Sequence, residues 1–482
     1  MALEQLKPAD VFSYFEAITK IPHESGNEAA ISQFLVDFAK EHQLEVIQEP
    51  CNNVIIKKPA TPGYENAPTV ILQGHMDMVC VKEDDLAFDF NTQALPIYVD
   101  GDWIRTKGTT LGADNGIAVA MSMAILADKT LQHPALTVLV TTDEETGMDG
   151  VLALNPENVQ GEILLNLDSD NEGEALVSCA GGVRNVVTLP LQWTEPTTSE
   201  MAAYEIVISG LKGGHSGGEI NEGRANSNKL MGRLLSELQT LDMAVSHLSG
   251  GEKDNAISKR AELKVLIPQD AVAALESQVK SFEEMVQKEF ETSDPAIKVS
   301  LTSSTMPTKV LTTETTQKVM SILQLLPYGP QTMSANIEGL VESSNNPGVV
   351  EMNEDTLVIT NAVRSSVKSL KEEINQRIQV ICTLTGAKMD LISDYPEWTY
   401  ATESKIREIM ISVYKNLTGQ ELKIEAIHAG LECGFLAEKL GDIDMISFGP
   451  TMVDIHTPKE ALNISSTART YKFLCEILKG IK

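Results

Sequence analysis

Residues Thr69–Cys80 have the sequence TVILQGHMDMVC, in which a mostly apolar, β-branched run ends in two polar side chains. The run predicts a short buried strand. His75 and Asp77 follow it two residues apart, so both would lie on the same side if the strand continued. In open α/β sheets, ligands bind beyond the carboxyl ends of the strands. The stretch therefore predicts a site where one residue binds a metal ion and the other orients it. A strand that merely ends in polar residues is the alternative.

Three more apolar runs end in residues of the metal-binding type. The runs and the residues that follow them are Ala135–Val140 with Asp143, Glu144 and Glu145, Ile163–Leu167 with Asp168, and Met445–Phe448 with His456. A further carboxylate, Asp114, lies in the stretch LGADNG, ahead of a small-residue helix predicted over Ile117–Leu126. Each acid alone could simply face solvent. Their repeated position at strand and helix ends instead predicts one coordinated site.

The types of ligand indicate a catalytic metal centre. Histidine and carboxylate ligands without cysteine leave exchangeable positions on the metal, as catalytic zinc sites require. Two imidazoles and three carboxylates are too many for one tetrahedral ion, but they suit two ions about 3.5–4 Å apart that activate a water and polarise a carbonyl group. Glu144 and Glu145 are adjacent and cannot easily share one role. We expect one to bind metal and the other to act as general base.

Composition limits the class of protein. The chain has 482 residues, which predicts more than one domain. With 38 basic and 68 acidic residues, its formal charge of −30 opposes binding to nucleic acid or to an anionic membrane surface. No run approaches the ~18 apolar residues of a membrane span, and the N-terminal stretch lacks the pattern of a secretion signal. The six cysteines form no C-x-x-C pair. These features predict a cytoplasmic protein with reduced thiols.

The order of predicted elements indicates two domains of the α/β class. Helices and strands alternate as far as residue 181, and this alternation is typical of an α/β domain. Residues 182–396 have a different, α+β pattern and are predicted to be a separate domain inserted into the first. Residues 397–482 return to the α/β pattern and supply His456. Near the N-terminus, Ser25 to Glu28 form a capping-box pattern ahead of an amphipathic helix.

The stretches GHMDMV, LGADNGIAVA, TTDEETGMDG and LLNLDSD resemble, in order and spacing, the zinc aminopeptidase-like hydrolases. That family includes dipeptidases, glutamate-releasing carboxypeptidases and N-acyl amino acid deacylases. The run LKGGHSGGEINEGRANSNKL, with DNAI and AVRSS further on, is most similar to its bacterial dipeptidases that cleave aminoacyl-histidine peptides. The resemblance spans nearly the whole chain. It implies a zinc-peptidase-like α/β catalytic domain, an inserted α+β lid domain, and a homodimer formed through the lid.

The resemblance also implies a role for individual residues. Asp114 would bridge two zinc ions, and manganese or cobalt could replace zinc. The remaining ligands would be His75 and Asp168 for one ion, and Glu145 and His456 for the other. Asp77 would support His75, and Glu144 would be the general base.

Three residues of the inserted domain would act on the substrate. His215 would donate a hydrogen bond to the developing oxyanion, within its own chain or across a dimer. Arg364 would bind the terminal carboxylate of the peptide, with Asn255 assisting.

The expected function is hydrolysis of short unblocked peptides, including Xaa-His and carnosine as a candidate. A deacylase or carboxypeptidase with the same metal chemistry is the alternative among enzymes. A non-catalytic binding module is a third possibility, but it predicts broken ligand sets, whereas all five predicted ligands are present.

Overall fold

A computed structural model describes residues 3–196 and 200–482. The α-helices are α1 (Ala9–Ile18), α2 (Ala29–Glu41), α3 (Ala113–Ala127), α4 (Asp149–Ala153), α5 (Ser227–Leu238), α6 (Val272–Glu289), α7 (Thr313–Leu325), α8 (Lys368–Thr385), α9 (Lys405–Thr418), α10 (Glu432–Leu440) and α11 (Ile464–Gly480). Within the described ranges, none of the helices combines the length and the apolar character needed to cross a bilayer.

The strands, in chain order, are β1 (Glu45–Gln48), β2 (Val54–Lys58), β3 (Val70–His75), β4 (Ile97–Asp100), β5 (Trp103–Thr106), β6 (Leu136–Thr141), β7 (Ile163–Asn166), β8 (Glu174–Cys179), β9 (Gly181–Pro190), β10 (Trp193–Thr194), β11 (Met201–Ser209), β12 (Ala244–Gly250), β13 (Ala261–Pro268), β14 (Lys298–Ser303), β15 (Val310–Leu311), β16 (Gly329–Met333), β17 (Val341–Met352), β18 (Thr356–Ser365), β19 (Lys388–Tyr395), β20 (Lys423–Ile427), β21 (Asp444–Ser447), β22 (Met452–Val453) and β23 (Ala461–Asn463).

The chain forms two compact units. The first unit comprises Met1–Ser178, Tyr400–Ala426 and Leu431–Lys482, and the second comprises Cys179–Thr399 and Ile427–Gly430. The pattern of the sequence predicts divisions at 181/182 and 396/397, with residues 427–430 in the last segment of the catalytic domain. In the structure this short segment belongs to the second unit.

The first unit is built on an eight-stranded sheet in the order β1-β2-β6-β3-β7-β21-β8-β20. Its central strands β6, β3, β7 and β21 run parallel to one another. All residues of β3, β6 and β7 are buried. This explains their nearly continuous apolar sequences, which are typical of parallel strands covered on both faces. Because these strands are parallel, the residues that follow them lie at one edge of the sheet.

Helix α3 packs closely against β3. A Cβ atom on Gly74 would lie 2.3 Å from Asn115 Oδ1 and 2.9 Å from Ala118 Cβ, so this approach requires glycine. The Asn115 side chain accepts the backbone N–H of His75 at 3.2 Å and donates to the carbonyl of Leu167 at 2.9 Å. One amide thus joins the first turn of α3 to the ends of two strands, and it places Asp114 beside His75.

The second unit is organised around an antiparallel sheet in the order β14-β11-β13-β12-β17-β18-β9-β19, with β16 also pairing with β17. Its core joins apolar residues of these strands to apolar residues of α5, α6, α7 and α8, such as Ile206, Leu263, Leu234, Phe282 and Ile378. The helices therefore pack on the sheet through their apolar stripes.

One local prediction is wrong. Ser25 and Glu28 do not form a capping box, because neither side chain caps α2, which begins at Ala29. The Ser25 hydroxyl instead donates to Asp77 Oδ2 at 2.8 Å. Glu28 Oε1 accepts the backbone N–H groups of Gly26 and Asp143 at 2.9 and 3.1 Å. Both side chains are used to hold the loops at the edge of the sheet.

Candidate metal centre

The five predicted ligands lie at one edge of the sheet in the first unit. His75 is the last residue of β3, and Asp168 follows β7. Glu145 follows β6, and Asp114 lies in the first turn of α3. His456 lies in the loop between β22 and β23, after β21. The structure thus brings together five residues that are widely separated in sequence.

Asp114 is at the centre of this cluster. Its Oδ1 lies 3.2 Å from His75 Nε2, and its Oδ2 lies 3.2 Å from His456 Nε2. Asp168 Oδ1 is 3.7 Å from His75 Nε2, and Glu145 Oε1 is 2.9 Å from His456 Nε2. Each oxygen of one carboxylate therefore faces a different histidine, and each histidine faces a second carboxylate. A carboxylate that bridges two ions requires this arrangement.

The donor set fits two divalent cations. Ligand atoms of His75, Asp114 and Asp168 all lie within 4.8 Å of one another, and so do those of Asp114, Glu145 and His456. A third such group joins His75 to Glu144 and Glu145. Nitrogen and oxygen donors at these spacings suit zinc, manganese or cobalt.

Without cations, the histidines take up protons. Hydrogen bonds to Asp114 and Glu145 raise the pKa of His456 to about 10. Burial would lower the pKa of His75, but the charge of Asp168 and hydrogen bonds to Asp114 and Asp77 raise it well above its usual value. Burial raises the pKa of Asp168 well above its usual value, although His75 opposes this. Metal binding must displace such protons, so it is expected to weaken as pH falls.

Asp77 contacts His75 and the turn that carries Glu144 and Glu145. It is buried, and its carboxylate lies 3.2 Å from His75 Nδ1. It also accepts the backbone N–H groups of Glu144 and Glu145 at 3.1 and 3.2 Å. Burial would raise the pKa of Asp77, but the contact with His75 and its charge, together with hydrogen bonds from Ser25 and the Glu144 N–H, keep it below its usual value. One carboxylate therefore orients His75 and the turn that carries both glutamates.

Glu144 and Glu145 differ in their surroundings. Glu145 contacts His456 at 2.9 Å, whereas Glu144 lies in a group with His75 and Glu145. Burial and the charges of Glu432, Glu145 and Asp114 raise the pKa of Glu144 to about 8, against the opposing effect of His75. A carboxylate in this position can hold a proton at neutral pH, and nearby cations would lower its pKa.

The second unit contains His215, and hydrogen bonds determine which of its nitrogens carries the proton. Nδ1 of the imidazole accepts the backbone N–H groups of Gly217 and Gly218 at 3.3 and 3.1 Å. Burial and the charge of Arg364 lower the pKa of His215, so the ring is neutral at pH 7. Its proton must therefore be on Nε2, which makes His215 an exposed hydrogen-bond donor.

Arg364 and Asn255 also lie in the second unit. Asn255 adjoins His215, since its carbonyl accepts the N–H of Ser216 at 2.9 Å. Arg364 is 9% exposed, its Nη1 donates to the Tyr395 hydroxyl at 2.7 Å, and its Nε has no partner in the described structure. A buried guanidinium with a free donor is suited to an anionic group.

The family follows from comparison with known proteins. Residues 71–480 match the profile of peptidase family M20/M25/M40. The chain belongs to this peptidase family. It is 36% identical over 480 residues to the cytosol non-specific dipeptidase of Escherichia coli strain K12, covering 99% of both chains.

Two solved structures have a similar fold. The aminoacylhistidine dipeptidase from Vibrio alginolyticus is 36% identical and superposes with a TM-score of 0.97, covering 100% of this chain and 98% of that one. The aminopeptidase PepT from Bacillus cereus has a TM-score of 0.58 at 15% identity, covering 99% of both chains, and shows a shared fold. The expected family and the two-domain α/β class are confirmed.

Sequence reasoning missed two buried carboxylates of this M20 peptidase. Glu432 is 1% exposed, and its Oε2 accepts the Gln73 amide at 2.6 Å and the Thr141 hydroxyl at 2.9 Å, directly beneath the ends of β3 and β6. Glu460 is 3% exposed and binds backbone N–H groups of the loop before α3. Burial raises the pKa of Glu460 to about 7. The only available signal for Glu460 was its position four residues after His456.

Proposed function

We propose that this M20 peptidase is a metal-dependent dipeptidase that hydrolyses unblocked dipeptides, including Xaa-His, with carnosine as a candidate substrate. The observation that carries the proposal is the position of Asp114, whose two oxygens face two histidines at 3.2 Å each. The chain as a whole is 36% identical to a dipeptidase over 99% of its length, and this supports the choice of substrate class.

His75, Asp114 and Asp168 would hold one ion, and Asp114, Glu145 and His456 would hold the other. We take the ions to be zinc, with manganese or cobalt as possible substitutes. Two bound ions would supply an activated water and polarise the scissile carbonyl group. Asp77 would keep His75 and the Glu144–Glu145 turn oriented, which is the usual role of a carboxylate behind a metal-binding histidine.

Glu144 would act as the general base. Its carboxylate would take a proton from the attacking water and return it to the leaving amine. The proposal is supported by its position beside His75 and by its freedom from His456. Glu145, which contacts His456 at 2.9 Å, would serve as a ligand instead.

Residues of the second unit would recognise the substrate. His215 would donate its Nε2–H to the oxyanion, since its Nδ1 is already occupied by two backbone donors. Arg364 would bind the terminal carboxylate, which fits its free Nε and its buried position. Asn255, next to His215, would assist.

We also infer a homodimer formed through the second unit. Strand β19 lies at an end of the sheet and exposes Leu391 and Ile392 by 47% and 50%. Helix α8 beside it exposes Val380 and Leu384 by 57% and 75%. An unpaired edge strand next to exposed apolar side chains is suited to pairing with a second copy. Sedimentation should show a dimer that I392K together with L384E converts to a monomer, and an unchanged mass would refute this interface.

The cytoplasm is the inferred location, because the Escherichia coli relative is named for the cytosol. The partner is a short peptide, and the charge of −30 opposes nucleic acid and anionic membranes.

The proposed chemistry is tested by Glu144→Ala. We expect turnover to be lost while zinc content stays near that of the wild type, because Glu144 would move a proton without binding an ion. Asp143→Asn is a matched control on the same turn and should retain activity. Near wild-type turnover in Glu144→Ala would exclude Glu144 as the base.

A further inference from the structure

Glu460 binds an entire loop through its carboxylate. Oε2 accepts the backbone N–H groups of Leu111 and Gly112 at 2.7 and 3.3 Å, and Oε1 accepts those of Ala113 and Asp114 at 2.9 and 3.4 Å. The residue is 3% exposed. Four consecutive peptide groups are therefore oriented by one buried side chain.

These four N–H groups belong to the turn that leads into α3, whose backbone is not yet helical at Asp114 and Asn115. Buried backbone N–H groups of such a turn must be satisfied by hydrogen-bond partners. The residue at the N-cap position is Gly112, which has a φ of 66° and no side chain to cap the helix. Glu460 takes over this task from elsewhere in the chain.

The same hairpin carries a predicted ligand. Strands β22 and β23 pair in antiparallel fashion, with Met452 opposite Leu462 and Val453 opposite Ala461. The connection between them contains His456, and Glu460 is its last residue before β23. Glu460 therefore links the loop that ends in Asp114 to the hairpin that carries His456.

Asp114 and His456 face each other across 3.2 Å, although they lie on different segments. His456 itself has 45% of its side chain exposed and a φ of 61°. The anchoring by Glu460 restrains both segments at once. Without it, a direct link between the segment of Asp114 and the hairpin of His456 would be lost.

We propose that Glu460 is a positioning residue that sets the Asp114 bridge relative to His456 and so prepares the site for its second metal ion. This inference rests on the proposed two-ion chemistry. The ion held by Glu145 and His456 should depend on Glu460 more than the ion held by His75 and Asp168, because the latter two residues follow rigid, buried strands.

The test is a zinc titration of the metal-free protein against a chromophoric chelator, which yields two dissociation constants. In Glu460→Gln, an amide NH2 would face backbone N–H groups. We expect the zinc ion held by Glu145 and His456 to lose about 10- to 100-fold in affinity, so that one of the two constants weakens while the other changes less. Circular dichroism of the metal-free variant reports whether it is folded.

Glu49→Gln is a matched control. Glu49 is also buried in the first unit, and its carboxylate accepts the Asn155 backbone N–H at 3.0 Å and the side-chain amides of Asn53 and Asn158 at 2.9 and 2.8 Å. The Glu49→Gln variant should have a lower free energy of unfolding but unchanged dissociation constants for both zinc ions. A merely structural role for Glu460 would give the same pattern.

A folded Glu460→Gln that binds both ions like the wild type would overturn the proposal. If that variant does not fold, Glu460→Asp decides, because it keeps the charge but is too short to reach all four N–H groups. Weakening of the second ion is expected, and unchanged affinities would refute the role. Fewer than two ions in the wild type would instead contradict the proposed function itself.

Discussion

Replacement of Asp77 by asparagine should weaken metal binding without unfolding the protein. Both oxygens of Asp77 accept hydrogen bonds: Oδ1 from the Glu144 N–H, and Oδ2 from the Glu145 N–H and the Ser25 hydroxyl. Asparagine has a single acceptor oxygen, so its NH2 group must face one of these backbone N–H groups in either orientation. The turn that carries both glutamates would then shift.

The expected loss of metal affinity in Asp77→Asn follows from these contacts. Hydrogen bonds to a charged group contribute about 1.5–3 kcal/mol each, and one of them is lost outright. Loss of a carboxylate behind a metal-binding histidine lowers metal affinity about 10- to 100-fold, equivalent to about 1.4–2.8 kcal/mol. We therefore expect Asp77→Asn to raise the zinc dissociation constants by this factor and to reduce kcat/KM even when zinc is saturating.

Competition titration with a chelator measures the zinc constants, and dipeptide hydrolysis at saturating zinc measures kcat/KM. Ser25→Ala is a milder change, because it removes one hydrogen bond to the charged Asp77, worth about 1.5–3 kcal/mol, and leaves both backbone N–H contacts in place. Zinc affinity and kcat/KM equal to those of the wild type in Asp77→Asn would refute the assigned role.

Two further predictions concern the second unit. The Lys229 ammonium donates to the carbonyl groups of Leu323, Gln324 and Leu326 at 2.6, 2.9 and 2.5 Å, at the C-terminal end of α7. Because Lys229→Met removes all three hydrogen bonds, it should lower the free energy of unfolding in urea by about 1–3 kcal/mol. Lys280→Met, at an exposed lysine, should cost almost nothing, and an equal loss in both variants would contradict this reasoning. Burial, together with the charges of Arg364 and His215, lowers the pKa of His428 to about 3, so the ring stays neutral in the folded protein. Because the unfolded chain takes up this proton below pH ~6.5, stability should be complete above that pH and fall by about 2.7 kcal/mol towards pH 4.5, and His428→Gln should flatten the decline. An identical pH dependence in wild type and variant, measured by urea unfolding, would exclude His428 as the cause.

The strands that end in the metal centre could be predicted because their sequences are locally informative. β3, β6 and β7 are short and almost wholly apolar, and each is followed by a residue with a functional side chain. The parallel arrangement then required their ends to meet. The existence and approximate position of these strands, and the clustering of the residues that follow them, could therefore be predicted from residue type.

Other features depend on contacts between distant segments. Strand β17 has the sequence VESSNNPGVVEM, whose polar residues and proline do not indicate a strand. Its buried Asn346 is satisfied by the carbonyl groups of Asp254 and Ala256 at 3.2 and 2.9 Å, which no local pattern indicates. The bond from Ser25 to Asp77 and the anchoring by Glu460 are likewise formed across 52 and about 350 residues. Such contacts become visible only in the folded chain.

The most direct test of the proposed function compares four substrates, each with zinc and after chelation. They are carnosine, a plain Xaa-His dipeptide, a dipeptide without histidine, and an N-acetylated amino acid. We expect zinc-dependent cleavage restricted to the substrates with a free amine. Preferential cleavage of the acetylated amino acid would contradict the proposed substrate class and favour a deacylase, and hydrolysis that persists after complete removal of metal would contradict the proposed chemistry.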